Sequence, residues 1–481
     1  MKRSTVLLVN PNLMRPPIAP IGLEYVADDL VRNGYEPVLC DLTFPEDWKQ
    51  ALCDAVKAAQ PMAVGVSIRN IDDAYFASQD FILATTAEMI HYVQSLTDAP
   101  IVLGGVGFSC APCEVLDYTG ADYGIIGEGE SVFPLLLNRL SARSEVSGVP
   151  GLVFRAAQNR LAMVRPGFPD LGQMPTPKRR FLDNVRYFSE GGQAGIETKR
   201  GCDGACVYCV DPLSKGSQIR LRSPESVVEE IRDLVAQEIN VLHLCDCEFN
   251  LPPEHALAVC KALKQSGLAS AITWYTYACP RPFNHELARA MADAGCVGIN
   301  FGADHADAAL LRRLGRNYGP DELRQTVQAC RDAGIAVMLD MLFGSPGETN
   351  ETIAYAIDFV RKLNPDCIGL SCGIRIYPHT ALARRVRSQG PLDKNPHLHG
   401  TVQDNEDLLR PIYYVDAEVG SRIHGYVSSL VGGDRRFFHA DPSQIDGNYN
   451  YNNNSVLAQA IRGGARGAYW DILRKQPEVS A

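Results

Sequence analysis

The sequence predicts an α/β protein in three parts: a doubly wound (Rossmann-like) parallel sheet, a partial (β/α)6 barrel and a small C-terminal cap. Three observations predict it. Over the first 140 or so residues, short apolar runs alternate with helical apolar patterns, and such alternation with short turns means parallel pairing. A second alternating series of about six repeats begins near residue 191. Between the two, clear periodicity is lost and Pro150, Pro166, Pro169, Pro175 and Pro177 accumulate, which reads as a connection. The expected boundaries are 1–145, a linker over 146–190, the barrel over 191–385, and 386–481.

In the first series, strands are expected at residues 6–9, 37–39, 63–67, 101–103 and 123–126, with helices at 22–33, 48–59, 84–97 and 112–118. Sheets of this kind bind ligands beyond the carboxyl ends of their strands. Those ends read Asn10-Pro11-Asn12, Ser67-Ile68-Arg69-Asn70, Gly104-Gly105-Val106-Gly107 and Gly127-Glu128-Gly129-Glu130. Most are small or glycine-rich, so backbone can approach a large flat ligand closely. In the second series, strands are expected at 195–198, 241–244, 272–275, 298–301, 336–341 and 367–371, and helices at 224–238, 253–266, 285–294, 306–314, 320–333 and 350–363. A barrel carries its active site at the carboxyl ends of its strands. The last segment holds an Asn/Tyr run at 446–454 and ends in one expected helix over 455–474.

Composition narrows the function classes. Lys and Arg number 46 against 56 Asp and Glu, a net charge of −10. That balance opposes a dominant grip on nucleic acid. No apolar run approaches the ~20 residues of a membrane helix. At the N-terminus only Val6-Leu7-Leu8-Val9 precedes Asn10-Pro11, too short for an export signal. A cytoplasmic location is expected, and there the 15 cysteines stay thiols. Most pack as small apolar residues, as Cys260, Cys330 and Cys367 do in their patterns.

Three cysteines stand apart. After the first strand of the second series comes Lys199-Arg200-Gly201-Cys202-Asp203-Gly204-Ala205-Cys206-Val207-Tyr208-Cys209, with spacing Cys-x3-Cys-x2-Cys. Three thiolates on a glycine-containing loop can wrap one soft metal centre. Structural zinc normally takes four ligands, usually as two separated pairs. A [4Fe-4S] cluster has four irons, and three thiolates leave one iron open.

This motif, at the first loop of a barrel, resembles the signature of the radical S-adenosylmethionine (SAM) enzymes. The resemblance implies that Cys202, Cys206 and Cys209 hold a [4Fe-4S] cluster whose open iron binds the amino and carboxylate groups of SAM. An electron from the cluster then cleaves SAM to a 5′-deoxyadenosyl radical. It puts Tyr208 near the adenine. Asp246 and Glu248, in Cys245-Asp246-Cys247-Glu248-Phe249-Asn250, become candidates to hold the SAM amino group, although the family's common Gly-Gly-Glu is missing. Asn300, in Gly298-Ile299-Asn300-Phe301-Gly302, stands where the family carries an acid near the ribose. Arg375 resembles a SAM-contacting position on the final strand, or else forms an ion pair there. Leu342-Phe343-Gly344-Ser345-Pro346-Gly347-Glu348-Thr349 matches a family turn expected to shape the rim and cap the next helix.

Residues 5–140 resemble the cobalamin-binding module of the B12-dependent subclass. The resemblance rests on Val9-Asn10-Pro11, the Pro17-to-Gly22 segment, Gly104-Gly105, and Gly120-Ala121-Asp122-Tyr123 running to Gly127-Glu128-Gly129-Glu130. It implies cobalamin contacts from Asn10, Arg69, Gly104, Gly105, Gly127 and Glu128. No Asp-x-His-x-x-Gly occurs, so the usual histidine below cobalt is absent. Arg69 there keeps the lower face open, as a similar arginine does in the tryptophan-methylating branch, or else it pairs with Asp72 or Asp73. The resemblance implies a methyltransferase acting on a carbon of a small molecule, a secondary-metabolite or antibiotic building block, supplied with electrons by an external flavodoxin or ferredoxin. Its rivals are a radical SAM dehydratase, cyclase or rearranging enzyme, and a non-catalytic cobalamin and cluster sensor. Nucleic-acid modification is disfavoured by the acidic balance. The C-terminal part is expected to close the barrel mouth.

Overall fold

The computed structural model describes residues 4–439 and 452–476, so the Asn/Tyr run lies outside the described residues through position 451. The first sheet has the strand order β2-β1-β3-β4-β5-β6-β7. Strands β1 (Thr5–Asn10), β2 (Glu36–Asp41), β3 (Ala63–Ser67), β4 (Ile101–Gly104) and β5 (Tyr123–Ile125) run parallel. The period of two explains why helices cover both faces. Leu7 and Val9 of β1 pack with the helices Trp48–Ala59 and Ile82–Leu96, while Val6 and Leu8 pack with the helices Ile21–Arg32 and Gly129–Ser141.

The segment read as a connection contributes two strands. β6 (Leu152–Arg155) pairs antiparallel with β5, and β7 (Leu161–Met163) antiparallel with β6. The short apolar run at 151–154 has enough buried surface, with Leu152 and Val153 inaccessible, to extend the sheet edge despite the flanking prolines.

The second sheet is the open barrel. It comprises β8 (Ala194–Ile196), β11 (Val241–Leu244), β12 (Thr273–Ala278), β13 (Cys296–Asp304), β14 (Ala336–Phe343) and β15 (Cys367–Cys372), all parallel and in that spatial order. A hairpin of β9 (Lys199–Arg200) and β10 (Arg220–Leu221) follows β8 and holds the cysteine loop. Three further strands, β16 (Ile374–Arg375), β17 (Leu398–Gly400) and β18 (Ile412–Tyr414), form a small antiparallel sheet. The C-terminal part also adds a seventh barrel strand that the sequence reading lacks: β19 (Phe437–His439), parallel to β15. Three residues are too short a run to carry a strand signal. The single helix expected over 455–474 is two, Ser455–Arg462 and Tyr469–Arg474. Gly464 and Gly467 between them have φ of +99° and +142°, which no helix accommodates. The second helix fills the barrel interior from below: Trp470 packs with Tyr275, Met338 and Cys367, and the Tyr275 hydroxyl donates to Asp471 at 2.6 Å.

The two sheets are joined by a buried charge cluster. Arg179, inaccessible, donates from Nε to Glu24 at 2.6 Å and from Nη1 to Glu230 at 2.9 Å, both carboxylates also inaccessible. Glu24 lies on the helix Ile21–Arg32, Glu230 on the barrel helix Pro224–Val235. Removing one partner of a buried pair leaves an uncompensated charge, at about 3–5 kcal/mol. Arg179→Met is therefore expected to lower the unfolding free energy, read from urea denaturation, by that order, and Arg179→Lys to recover only part of it, since an ammonium lacks the two-pronged geometry.

Candidate active site

The cysteine loop is built by its neighbours. Gly201 has φ +93°, and a Cβ there would strike the Gln218 carbonyl, so only glycine makes this turn. The Cys202 N–H donates to the Gly216 carbonyl at 3.0 Å, and the Val207 N–H to Leu314 O at 3.0 Å. Gly204 lies against the sulfurs: a Cβ there would be 3.2 Å from Cys202 Sγ and 3.8 Å from Cys206 Sγ. Cys202, Cys206 and Cys209 all keep some accessible surface. A hydrogen bond from the Cys247 thiol brings Cys202 down to about 7, so its thiolate forms readily; burial pushes Cys206 to about 11 and Cys209 to about 12. Lys215 Nζ lies 3.6 Å from Cys247 Sγ. Among the described residues, no three of His, Cys, Asp or Glu converge on a single ion. The loop offers three thiols on one glycine-containing turn, a donor set that fits a multi-iron cluster.

Tyr208 donates to Asp304 at 2.7 Å and receives Arg316 Nη2 at 2.7 Å, while Arg316 Nε holds Asp304 at 2.6 Å. Glu248 Oε1 is 3.9 Å from Arg316, and its buried Oε2 has no partner. Burial pushes the Glu248 carboxyl up to about 8, with Arg316 opposing. Asn300 donates to Asp340 at 2.8 Å and leaves its own buried Oδ1 unpartnered.

Three of the residues expected at the cofactors are engaged by the scaffold. Asp246 accepts from the Thr198 N–H at 2.8 Å and its hydroxyl at 2.5 Å, pinning the chain that enters the cysteine loop. Arg375 is bound to Asp72 at 2.7 Å and to the carbonyls of Ile376, Leu408 and Leu409; its donors are committed, so the ion pair prevails over a SAM contact. The Asn10 amide nitrogen lies 2.9–3.0 Å from oxygens of Asp41, Thr43 and Tyr187, among which its two hydrogens are shared, and the residue is buried.

Above the first sheet opens a cleft of about 890 Å³, part of it open to solvent. Gly104, Gly105, Gly127 and Glu128 line it together with apolar Leu8, Val66 and Phe133. Gly105, at φ +94°, brings its backbone so close to Ile68 that a Cβ would strike the Ile68 carbonyl, whereas a Cβ at Gly104 would meet nothing within 4 Å. Glu128 is held by Arg220 at 2.5 Å and Arg200 at 3.5 Å. This apolar slot at the strand ends suits the aromatic nucleotide tail of cobalamin. Arg69, beyond β3, pairs with no carboxylate among the described residues; its contact is Met14 Sδ at 3.9 Å, and Asp72 is taken by Arg375. Burial lowers its pKa, with Tyr469, Tyr277 and Cys245 opposing. Tyr277 is 45% exposed, yet burial pushes its hydroxyl to about 12, the combination expected of a residue facing an internal chamber.

Sequence reasoning missed Glu197, Arg200 and Lys215 on the cleft wall, and the Arg316–Asp304 pair. It also missed His243 and Tyr277. The signals were there: Arg200 and Lys215 flank the cysteine loop, and 241, 243 and 245 alternate toward the barrel interior with strand period.

A model of the radical SAM superfamily matches residues 196–360, and one of the B12 binding domain matches residues 14–137. Tryptophan 2-C-methyltransferase of Streptomyces laurentii is 33% identical over 452 residues, covering 81% of this chain and 75% of that protein. The chain belongs to the cobalamin-dependent radical SAM methyltransferase family. The structure of the radical SAM methyltransferase TsrM from Kitasatospora setae, with tryptophan and a SAM analogue bound, superposes with a TM-score of 0.92 at 30% identity over 98% of both chains. The cobalamin-dependent enzyme OxsB shares the fold, with a TM-score of 0.70 at 17% identity, over 86% of this chain and 64% of that one. This family member is a methyltransferase that uses a [4Fe-4S] cluster, SAM and cobalamin to methylate a carbon of a small molecule. No helix among the described residues is long and apolar enough to cross a membrane.

His243 makes a chemical test of the chamber. Burial lowers its pKa to about 4, partly opposed by a backbone hydrogen bond at Leu244. A histidine depressed in the folded state stabilises above its unfolded pKa of about 6.5 and loses that contribution as pH falls toward 4. Between pH 6.5 and pH 5 the loss is about 2 kcal/mol. The urea midpoint of the protein is expected to fall more over that interval than that of His243→Gln.

Proposed function

We propose that this enzyme methylates a ring carbon of an aromatic amino acid, with tryptophan the first substrate to test, in the making of a secondary metabolite such as an antibiotic. What carries the reading is likeness over 98% of both chains to a methyltransferase solved with tryptophan bound. The chamber supports it: Tyr277 and His243, with ring centroids 4.9 Å apart, offer an aromatic wall and a neutral imidazole.

In this reading Cys202, Cys206 and Cys209 ligate the cluster, with Gly204 giving it room. Tyr208, Glu248 and Asn300 face SAM. Of these, Glu248 and Asn300 have unpartnered buried oxygens to offer, and Tyr208 is fixed by Asp304 and Arg316. Gly104, Gly105, Gly127 and Glu128 would hold cobalamin, and Arg69, a cation, would offer its metal no ligand. When bound, these groups supply the methyl group and the electron chemistry that moves it. The protein orients them, and the helix Tyr469–Arg474 keeps water out from below. Asp246 and Lys199 act one step back: the Lys199 ammonium donates to the carbonyls of Glu248, Phe249 and Leu251 and so fixes the Glu248 loop. The functional units are 1–145, a connection over 146–190, 191–385 and 386–481. The setting is the cytoplasm, and electrons come from an external flavodoxin or ferredoxin.

Anaerobic reconstitution with iron, sulfide and hydroxocobalamin tests this. Tryptophan plus SAM and a reductant such as titanium(III) citrate should yield a product heavier by one CH2 group, with cobalamin and cluster absorbance both present. Cys206→Ala should lose iron and sulfide and all turnover. Wild-type material that takes up zinc alone overturns the cluster assignment, and an unchanged tryptophan mass overturns the substrate.

A further inference from the structure

The chain is acidic overall, yet one rim of the cysteine loop is basic. Asp203, Gly204 and Ala205 form the exposed tip of that loop. Two helices abut it. The helix Ala308–Arg313 ends at Leu314, whose carbonyl receives the Val207 N–H at 3.0 Å, and Gly315 lies so close to Ala205 that a Cβ would strike its carbonyl. The helix Ala381–Ser388 begins beside the same loop, Leu382 N–H donating to Val207 O at 2.8 Å. The last turn of the first helix carries Arg312 and Arg313; the second helix carries Arg384 and, in its last turn, Arg385. All four are exposed. None forms an ion pair among the described residues: Arg313 donates to Gly347 O at 3.3 Å, Arg384 to His379 O at 2.7 Å, and Arg312 and Arg385 make no hydrogen bond. Carboxylates close to these helices are engaged elsewhere: Asp307 caps the far end of its own helix, Asp416 accepts from the Gly347 N–H at 2.7 Å, and Glu114 pairs with His379 at 3.0 Å; Asp203 stands in the exposed tip.

Four arginines left without carboxylates cost self-repulsion, and nothing in the fold of either helix requires them: the buried faces are Leu310 and Leu311 on one, Leu382, Ala383 and Val386 on the other. We propose that Arg312, Arg313, Arg384 and Arg385 form the docking surface for an acidic one-electron carrier protein, which delivers its electron through the exposed cysteine loop. The inference rests on Cys202, Cys206 and Cys209 holding the cluster. The chemistry is a single electron transfer: the reduced carrier loses one electron, the oxidised cluster gains it, and no bond or proton moves. Opposite charge on the carrier steers encounter and orients it with its redox group toward the loop, an effect that salt weakens.

The test compares two reductants on the reconstituted holoenzyme, reading the reduced cluster by electron paramagnetic resonance. One is a flavodoxin kept reduced by its NADPH-dependent reductase; the other is titanium(III) citrate, which needs no docking. The double variant R312E/R385E, chosen because these side chains bond to nothing, should slow flavodoxin-driven reduction by about tenfold or more at low ionic strength and leave titanium-driven reduction unchanged. R312K/R385K should retain most of the rate, and raising the salt should slow the wild type toward the variant. A flavodoxin-driven rate indifferent to both charge reversal and salt overturns the docking surface. Wild-type protein in which titanium citrate produces no reduced-cluster signal overturns the cluster reading beneath it. Binding of a short RNA that R312E/R385E abolishes, with flavodoxin-driven reduction untouched, assigns the arginines to nucleic acid instead.

Discussion

Everything the site does depends on a guanidinium sealed between two carboxylates. Arg179 comes from the connection, Glu24 from the first helix of the N-terminal sheet and Glu230 from the first helix of the barrel. Around them Tyr25 donates to Glu230 at 2.9 Å, Arg222 pairs with Glu230 at 2.6 Å, and Asn184 donates to Glu24 at 3.0 Å. A buried ion pair is weak evidence for stability, because desolvation takes back most of the Coulomb gain. Its strength is geometric. Charges in a low dielectric accept few arrangements, so the two sheets are held in one relative position with their strand ends facing a shared interior. Apolar packing alone tolerates sliding.

Two further junctions frame that interior. Arg375, at the end of the barrel, is bound to Asp72 beyond β3, with Tyr377 donating to the same carboxylate at 2.9 Å. On the other flank Arg200, next to the cysteine loop, reaches Glu130 at 2.7 Å and Glu197 at 2.8 Å. The cleft of the first sheet and the cysteine loop of the second are thus tied by the residue that precedes Gly201. Positioning by such links is what a reaction between two large cofactors needs, since misplacement by an ångström is expensive in rate.

The fold was legible because both series repeat their periods cleanly. All the main sheet strands except the antiparallel pair β6 and β7 and the short β19 announced themselves, and the cysteine spacing needed no structure. What was illegible is instructive. Asp246, Arg375 and Asn10 have the chemistry of ligands and sit at strand ends, but each is consumed by a partner from a distant stretch of chain: Thr198, Asp72, and Asp41 with Tyr187. No local pattern says which polar residue at a strand end is spent on the scaffold. Arg69 is the reverse case. Its neighbours Asp72 and Asp73 made an ion pair plausible, and Arg375, some three hundred residues on, takes Asp72 instead.

The same accounting explains which polar groups remain for ligands. Arg69 pairs with no carboxylate among the described residues, Glu248 has an unpartnered oxygen and a carboxyl that burial pushes up to about 8, and Asn300 leaves a buried carbonyl oxygen idle. Each such group costs the fold on the order of 1–3 kcal/mol, more for a charge. A chain that spends most of its buried polar atoms on its own scaffold, as Arg179 and Arg375 do, does not leave three idle around one chamber for reasons of stability. In the proposed function their partners are cofactor atoms, so that loading the site and stabilising the fold would draw on one free energy. Cofactor affinity and thermal stability would then be linked through groups that touch both.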